Sequence, residues 1–103
     1  MSSTQELKRY ADHTFFENGK TYTIEDEGKI IEVNIQGQGL VKRLTFMLSG
    51  IAKPVIFNNT SWKACEHVWG PQFGKWKGHK VRAKIASTVI AGREVTPVYF
   101  TPV

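Results

Sequence analysis

Lys80, Arg82 and Lys84 recur at every second position of the run KVRAKI. An extended backbone therefore sends all three out on one face, about 6.6 Å apart. Such a row can follow a phosphodiester backbone, with arginine gripping phosphate through two N–H groups. The plain alternative is a solvent-facing strand kept wet by lysine. Lys75, Lys77 and His79 add charge just before the row and tilt the balance towards an anionic ligand. Across residues 68–84 there are five Lys/Arg, one histidine, two tryptophans and no acid.

Aromatic faces are the second chemical resource, because single-strand binders stack bases on them at about 1–3 kcal/mol per base. Trp62, Trp69 and Trp76 are spaced by seven. Trp69 falls inside the apolar stripe of a helix and reads as core. Trp76 sits in a KWKG loop, where it would either plug one end of the core or join the binding surface. Trp62 lies at the border of the stripe and is the best placed for exposed stacking. Phe57 and Tyr99 are weaker candidates, since alternation leaves their facing open. Lys42 and Arg43 follow the glycine-rich QGQG turn, and Arg93 lies in a second turn, AGRE. The expected set of nucleic-acid contacts is therefore Lys42, Arg43, Trp62, Lys75, Trp76, Lys77, Lys80, Arg82, Lys84 and Arg93.

Catalytic chemistry has no comparable pattern. His13, His67 and His79 stand in separate elements without an HExxH or similar signature. Cys65 and His67 are two apart on a helix, about 200° around it, and cannot share a ligand. Glu25, Asp26 and Glu27 are consecutive, which suits a solvated turn better than acid–base work. The expectation is no enzyme, no metal and no cofactor.

The elements that must position these residues are mostly strands. With 103 residues there is room for one domain, and 41% hydrophobic residues suffice for a small core. Net charge is +5, but residues 1–52 carry six Lys/Arg against seven Asp/Glu, and residues 53–103 carry eight against two. The positive field thus belongs to the second half, which favours an anionic partner. No apolar run suits a membrane span or a signal peptide, so a cytoplasmic location and no membrane partner are expected. One cysteine excludes an internal disulfide.

Residues 1–13 read as a flexible N-terminal segment and 14–103 as the folded domain. Asn18-Gly19 is a turn signal. KIIEVNIQ alternates, with Ile31, Val33 and Ile35 inward. KRLTFMLS follows with Leu44, Phe46 and Leu48 inward and Thr45 outward. KPVIFN is a third strand, with Pro54 at its start. Asn59 or Thr60 can cap a helix that Gly70-Pro71 stops. Ala64, Cys65, Val68, Trp69 and Trp62 form its apolar stripe, about 160° wide. KVRAKIASTVI turns Val81, Ala83 and Ile85 inward, and VTPVYF closes the sheet as an edge strand. Three strands, a helix and two strands is the element order of a five-stranded OB-type barrel, mainly β, with one short helix between strands 3 and 4. A five-stranded sheet with a helix on one face has the same order.

The run KPVIFNNTSWKACEHVWGPQFGKWKGHKV, with the hairpin and TP after it, resembles a group of small phage and prophage proteins. Lys53, Pro54, Asn58, Thr60, Lys63, Gly70, Trp76, Gly78, Lys80 and Gly92 carry the likeness. It extends upstream through YTIEDEGKIIEVNI, covering roughly residues 22–102. Thr60-Ser61-Trp62-Lys63 stands where the group has T-N-A-K, and its last-strand arginines are replaced around Tyr99 and Thr101. The resemblance implies an OB-like, single-stranded DNA-binding or accessory factor, encoded near phage recombination or replication genes and working in the host cytoplasm. Single-stranded DNA or RNA, and phage recombination or replication proteins, are the implied partners. A homo-oligomer is compatible with the pattern. The rival expectation is an accessory protein that docks on a host or phage protein and touches no nucleic acid.

Overall fold

Gly28 is where the first long extended run breaks in two. It adopts φ 74°, and a Cβ there would lie 2.4 Å from Cε1 of Phe46, so only glycine fits. Asp26 holds the bend, its Oδ1 accepting from the amides of Gly28 and Met47, each at 3.1 Å. The computed structural model describes residues 9–35, 37–90 and 92–103, and only the backbone of Ile35, Ile90 and Arg93. In it the bend at Gly28 separates β1 (Thr21–Thr23) from β2 (Lys29–Ile35) and hands the chain from one sheet to another.

β2 pairs antiparallel with β3 (Gly39–Phe46), and β3 with β4 (Val55–Phe57). β1 pairs with β5 (Lys80–Ile85), and β5 with β8 (Val98–Pro102). A separate hairpin joins β6 (Thr88–Ile90) to β7 (Arg93–Val95). Among the described residues the one α-helix, α1 (Asn59–Trp69), lies between β4 and β5. The described residues are thus mainly β with one α-helix, as expected. The described strands form three open antiparallel sheets, however, and do not close into a barrel. Among the described residues a single isolated bridge, Ile24 with Leu48, links the two larger sheets.

Between β4 and β8, side chains take the place of a ladder. Asn58 Nδ2 donates to Val98 O (3.1 Å), and Phe100 N donates to Ser61 Oγ (2.9 Å). Side chains from β4's end and from the helix thereby satisfy the edge of β8 in place of a ladder. The same bonds correct the helix reading. Asn58, not Asn59 or Thr60, is the N-cap, accepting from Ser61 N at 2.9 Å. Ser61 and Cys65 are its buried residues, whereas Val68, expected in the apolar stripe, is 60% exposed. A serine can face inward because its hydroxyl donates to Asn58 Oδ1 and accepts from Phe100.

The register corrects a second expectation. Cross-strand partners share a face. Ile30 pairs with Leu44, and Ile31 with Arg43. The apolar residues Ile31 and Val33 therefore lie on the opposite side of the β2–β3 hairpin from Leu44 and Phe46. Val33 is nonetheless buried, and it borders a small cavity with Arg9, Tyr10 and Glu32. Residues 9–13, expected to be flexible, are held here: Ala11 N donates to Pro54 O (2.9 Å), and Ala11 packs against the core. Residues 1–8 of that segment lie outside the described residues. Thr45, expected outward, is buried, its hydroxyl donating to Lys29 O at 3.0 Å.

The core itself is aromatic. Phe46, Phe57, Phe100 and Trp76 are buried with Leu44, Leu48, Val55, Val81 and Ile24. Phe57 and Phe100 stack at 4.8 Å, joining the two larger sheets where no backbone ladder does.

Candidate nucleic-acid interface

β5 is the middle strand of its sheet, so its backbone is paired on both sides and its side chains alone face outward. Val81 and Ala83 are buried, and Lys80, Arg82 and Lys84 are exposed, as alternation requires. Thr21 of β1 and Thr101 of β8 flank Arg82, Thr23 lies opposite Lys80, and Tyr99 opposite Lys84. The outward face is therefore a central column of cations bordered by hydroxyls. β1, β5 and β8 contain no acidic residue. Among the described residues no carboxylate pairs with Lys80, Arg82 or Lys84. Three like charges about 6.6 Å apart are thus left without an internal counterion.

One flank of this column is recessed. The Asn18–Gly19 turn folds onto the end of β5: Gly19 N donates to Ala83 O (2.7 Å), Ala83 N to Lys20 O (2.9 Å), and Ile85 N to Asn18 Oδ1 (2.9 Å). Between the turn and the cations lies a depression of about 310 Å³, lined by Asn18, Gly19, Arg82, Lys84 and Thr101. The nearby carboxylate of Glu17 is engaged by Lys20 at 3.4 Å.

The rest of the expected contact set does not converge there. Lys75 and Lys77 are exposed in the loop before β5. Trp76 between them is 0% exposed; its Nε1 donates to Gly70 O (3.1 Å) and its ring stacks on Phe46 at 5.7 Å. It offers no face to a base and leaves the contact set. Trp62 is partly buried and packs against the core from α1, so it does not project as an open platform. Phe57 is fully buried, whereas Tyr99 is only partly so. Lys42 and Arg43 belong to β3, in the other large sheet, so they are not part of the column on β5. Lys42 is exposed, and Arg43 is partly buried with Nη1 donating to Lys42 O. Arg43 instead lines a second cleft of about 420 Å³, together with His13, Val55, Asn58, Pro97 and Val98. Arg93 begins β7; its side chain, like Gln36 of the QGQG turn, lies outside the described residues.

Two features escaped the sequence reading. β1 was hidden in the stretch after Asn18-Gly19, although its Thr-Tyr-Thr alternation, with Tyr22 buried between partly exposed threonines, is the period-two signal of a strand. Trp69, read as core, is only partly buried, and its ring stacks on the exposed His79 at 4.6 Å with planes 25° apart. No local pattern announces that pair, because it joins the end of α1 to the start of β5.

Groups suited to other chemistry are dispersed. No cluster of three or more His, Cys, Asp or Glu that could hold a metal occurs among the described residues. Burial pushes the Cys65 thiol up to about 12, so it stays protonated and unreactive. Asp12 sits below the usual carboxylate range because the hydroxyl and then the amide of Thr14 donate to it. No helix among the described residues is long and apolar enough to cross a membrane. No protein-family model, curated protein or solved structure matches the chain.

Proposed function

We propose that this chain binds single-stranded nucleic acid, DNA foremost, along the outward face of β5, and catalyses no reaction. The observation that carries the reading is the uncompensated column Lys80–Arg82–Lys84, flanked by threonine hydroxyls on both neighbouring strands. Arg82 would hold a phosphate with two N–H groups, the lysines would neutralise its neighbours, and Thr21 and Thr101 would donate further hydrogen bonds. Affinity comes chiefly from the counterions that these phosphates release. Tyr99, opposite Lys84 and partly exposed, supplies a ring that an unpaired base can reach and a base within a duplex cannot.

The architecture is read as an OB-type barrel left open at one seam. β1 and β2 act as one long strand bent at Gly28, paired to β5 before the bend and to β3 after it. The resulting order, β4-β3-(β2/β1)-β5-β8, is that of a five-stranded OB barrel. In this reading the β6–β7 hairpin elaborates the last connection, and α1 fills the seam. In OB folds the usual groove lies on the face of the second and third strands. That face is here crossed by residues 9–13, whereas the cations sit on the other sheet, so the proposed interface is displaced from the usual place. The likeness to phage and prophage proteins supports a role beside recombination or replication proteins in the host cytoplasm. Its positions Asn58, Gly70, Trp76 and Gly78 serve a helix cap, a turn and the core, so it speaks for architecture more than for the interface.

A second reading, docking on another protein, is favoured by one observation: Leu40 and Val89 stand 69% and 68% exposed on the two hairpins. Fluorescence anisotropy with labelled single- and double-stranded oligonucleotides, at low and moderate salt, separates the two. Preference for the single strand that weakens with salt is the expected result. No binding of either at low salt would reject the nucleic-acid reading and leave protein docking.

A further inference from the structure

The aromatic rings of this protein form an unbroken column from the core to the surface. Phe100 stacks on Phe57 (4.8 Å), Phe57 meets Phe46 (5.0 Å), and Phe46 stacks on Trp76 (5.7 Å). Trp76 meets Trp69 edge-on at 5.8 Å, and Trp69 stacks on His79 at 4.6 Å. Burial falls along the column: Trp76 is enclosed, Trp69 is partly buried and His79 is exposed. The backbone of His79 is fixed as well, its N–H donating to Trp76 O (3.0 Å) and its carbonyl accepting from Ile24 N (2.9 Å). Packing explains Trp69, which covers Trp76. It does not explain an exposed ring held nearly parallel to an indole, immediately before Lys80 and two residues after Lys77. Lys75, Lys77 and Lys80 are all exposed, and among the described residues none of them pairs with a carboxylate. Glu66, one turn back on α1, is the one acid within five residues of either ring.

We infer that the Trp69–His79 pair is a stacking site for a nucleobase at the Lys80 end of the cation column. The inference rests on the nucleic-acid reading of β5 and adds to it the part of the ligand that phosphate contacts cannot sense. Every base has a π-face, so the site is tolerant of sequence. The rings are already held in place by the column behind them, so little side-chain freedom is lost on binding. From Lys84 to Lys80 the strand spans about 13 Å, which a few nucleotides cover. His79 alternates to the side of Val81 and Ala83, so the terminal nucleotide turns around the Lys80 end of β5 to lay its base on the exposed ring.

The test compares a short thymidine oligonucleotide with an abasic oligonucleotide of equal length, by anisotropy and by intrinsic tryptophan fluorescence, for the wild type, His79→Ala and His79→Phe. His79 is exposed, so neither change should disturb folding, which near-ultraviolet circular dichroism checks. The wild type should favour the thymidine chain by roughly fivefold or more and show quenching that the abasic chain does not produce. His79→Ala should remove most of the thymidine preference, leaving only the share that Tyr99 supplies, without changing abasic affinity. His79→Phe, which keeps a ring but no ring nitrogen, should retain the preference. Equal affinity of the wild type for both chains would overturn the stacking site while leaving the phosphate column standing. So would a preference that His79→Ala leaves undiminished, or one reduced equally in both variants. Failure of the folded wild type to bind either chain at low salt would instead remove the β5 reading, and this site with it.

Discussion

Replacing Lys80, Arg82 and Lys84 together by glutamine strikes the proposed interface where the geometry is least ambiguous. All three side chains are exposed, and the residues between them, Val81 and Ala83, keep β5 anchored in the core. The ladders to β1 and β8 are backbone bonds that the substitutions leave alone. Glutamine retains much of each aliphatic stem, so the variant should fold with near wild-type stability. The magnitude follows from the count of cations. Each phosphate neutralised on a single strand contributes about 0.7 to the slope of log affinity against log salt, so three contacts contribute about 2. Between roughly 50 and 200 mM salt those contacts alone weaken wild-type binding by about 20-fold, and the triple variant should lack that part of the dependence. Anisotropy titrations of a labelled single-stranded oligonucleotide at four or five salt concentrations measure both slopes. A folded variant whose slope equals that of the wild type would show that no phosphate sits on the β5 column.

Further expectations concern the scaffold. Gly28→Ala puts a Cβ against the Phe46 ring at φ 74° and should destabilise the fold by about 2–4 kcal/mol in urea titrations; a change under about 0.5 kcal/mol would mean that the bend relaxes freely. Ser61→Ala leaves the amide of Phe100 without its acceptor and should cost about 1–3 kcal/mol, whereas Ser61→Thr, which keeps the hydroxyl, should cost less if the added methyl fits. Trp76→Phe removes the bond to Gly70 O and opens space in the core, so thermal stability should fall while oligonucleotide affinity of the folded protein is unchanged; reduced affinity at full stability would return Trp76 to the contact set. The buried Cys65 keeps its proton until about pH 12, but in the unfolded chain it loses it near pH 9. Between those values the unfolded state binds fewer protons, so stability falls as pH rises, by at most about 1.4 kcal/mol per pH unit. The stability gap between wild type and Cys65→Ala should therefore shrink from pH 8 to pH 10, and a constant gap would contradict the buried thiol.

The division between local and long-range information runs through particular residues. Alternation in KVRAKI was enough to place Val81 and Ala83 inside and the three cations outside, because side-chain direction in a strand is a local property of period two. Gly70 likewise marked the end of α1 from sequence, since a residue at φ 89° there is a backbone demand that glycine meets. What β5 has for neighbours was not local. Its flanking threonines come from residues 21–23 and 101, and the separation of Lys42 and Arg43 from the column depends on which strands pair. Trp76 illustrates the same limit, since nothing in KWKG says whether an indole meets solvent or Phe46. Ser61 does so in reverse: a small polar residue faces inward because an amide 39 residues away needs an acceptor. Even the sides of the β2–β3 hairpin depended on register, where a shift of one residue exchanges the two faces, and register is set by pairing and by the bend at Gly28. Chain-local chemistry decided which residues could form an anion-binding face; long-range pairing decided which of them share one.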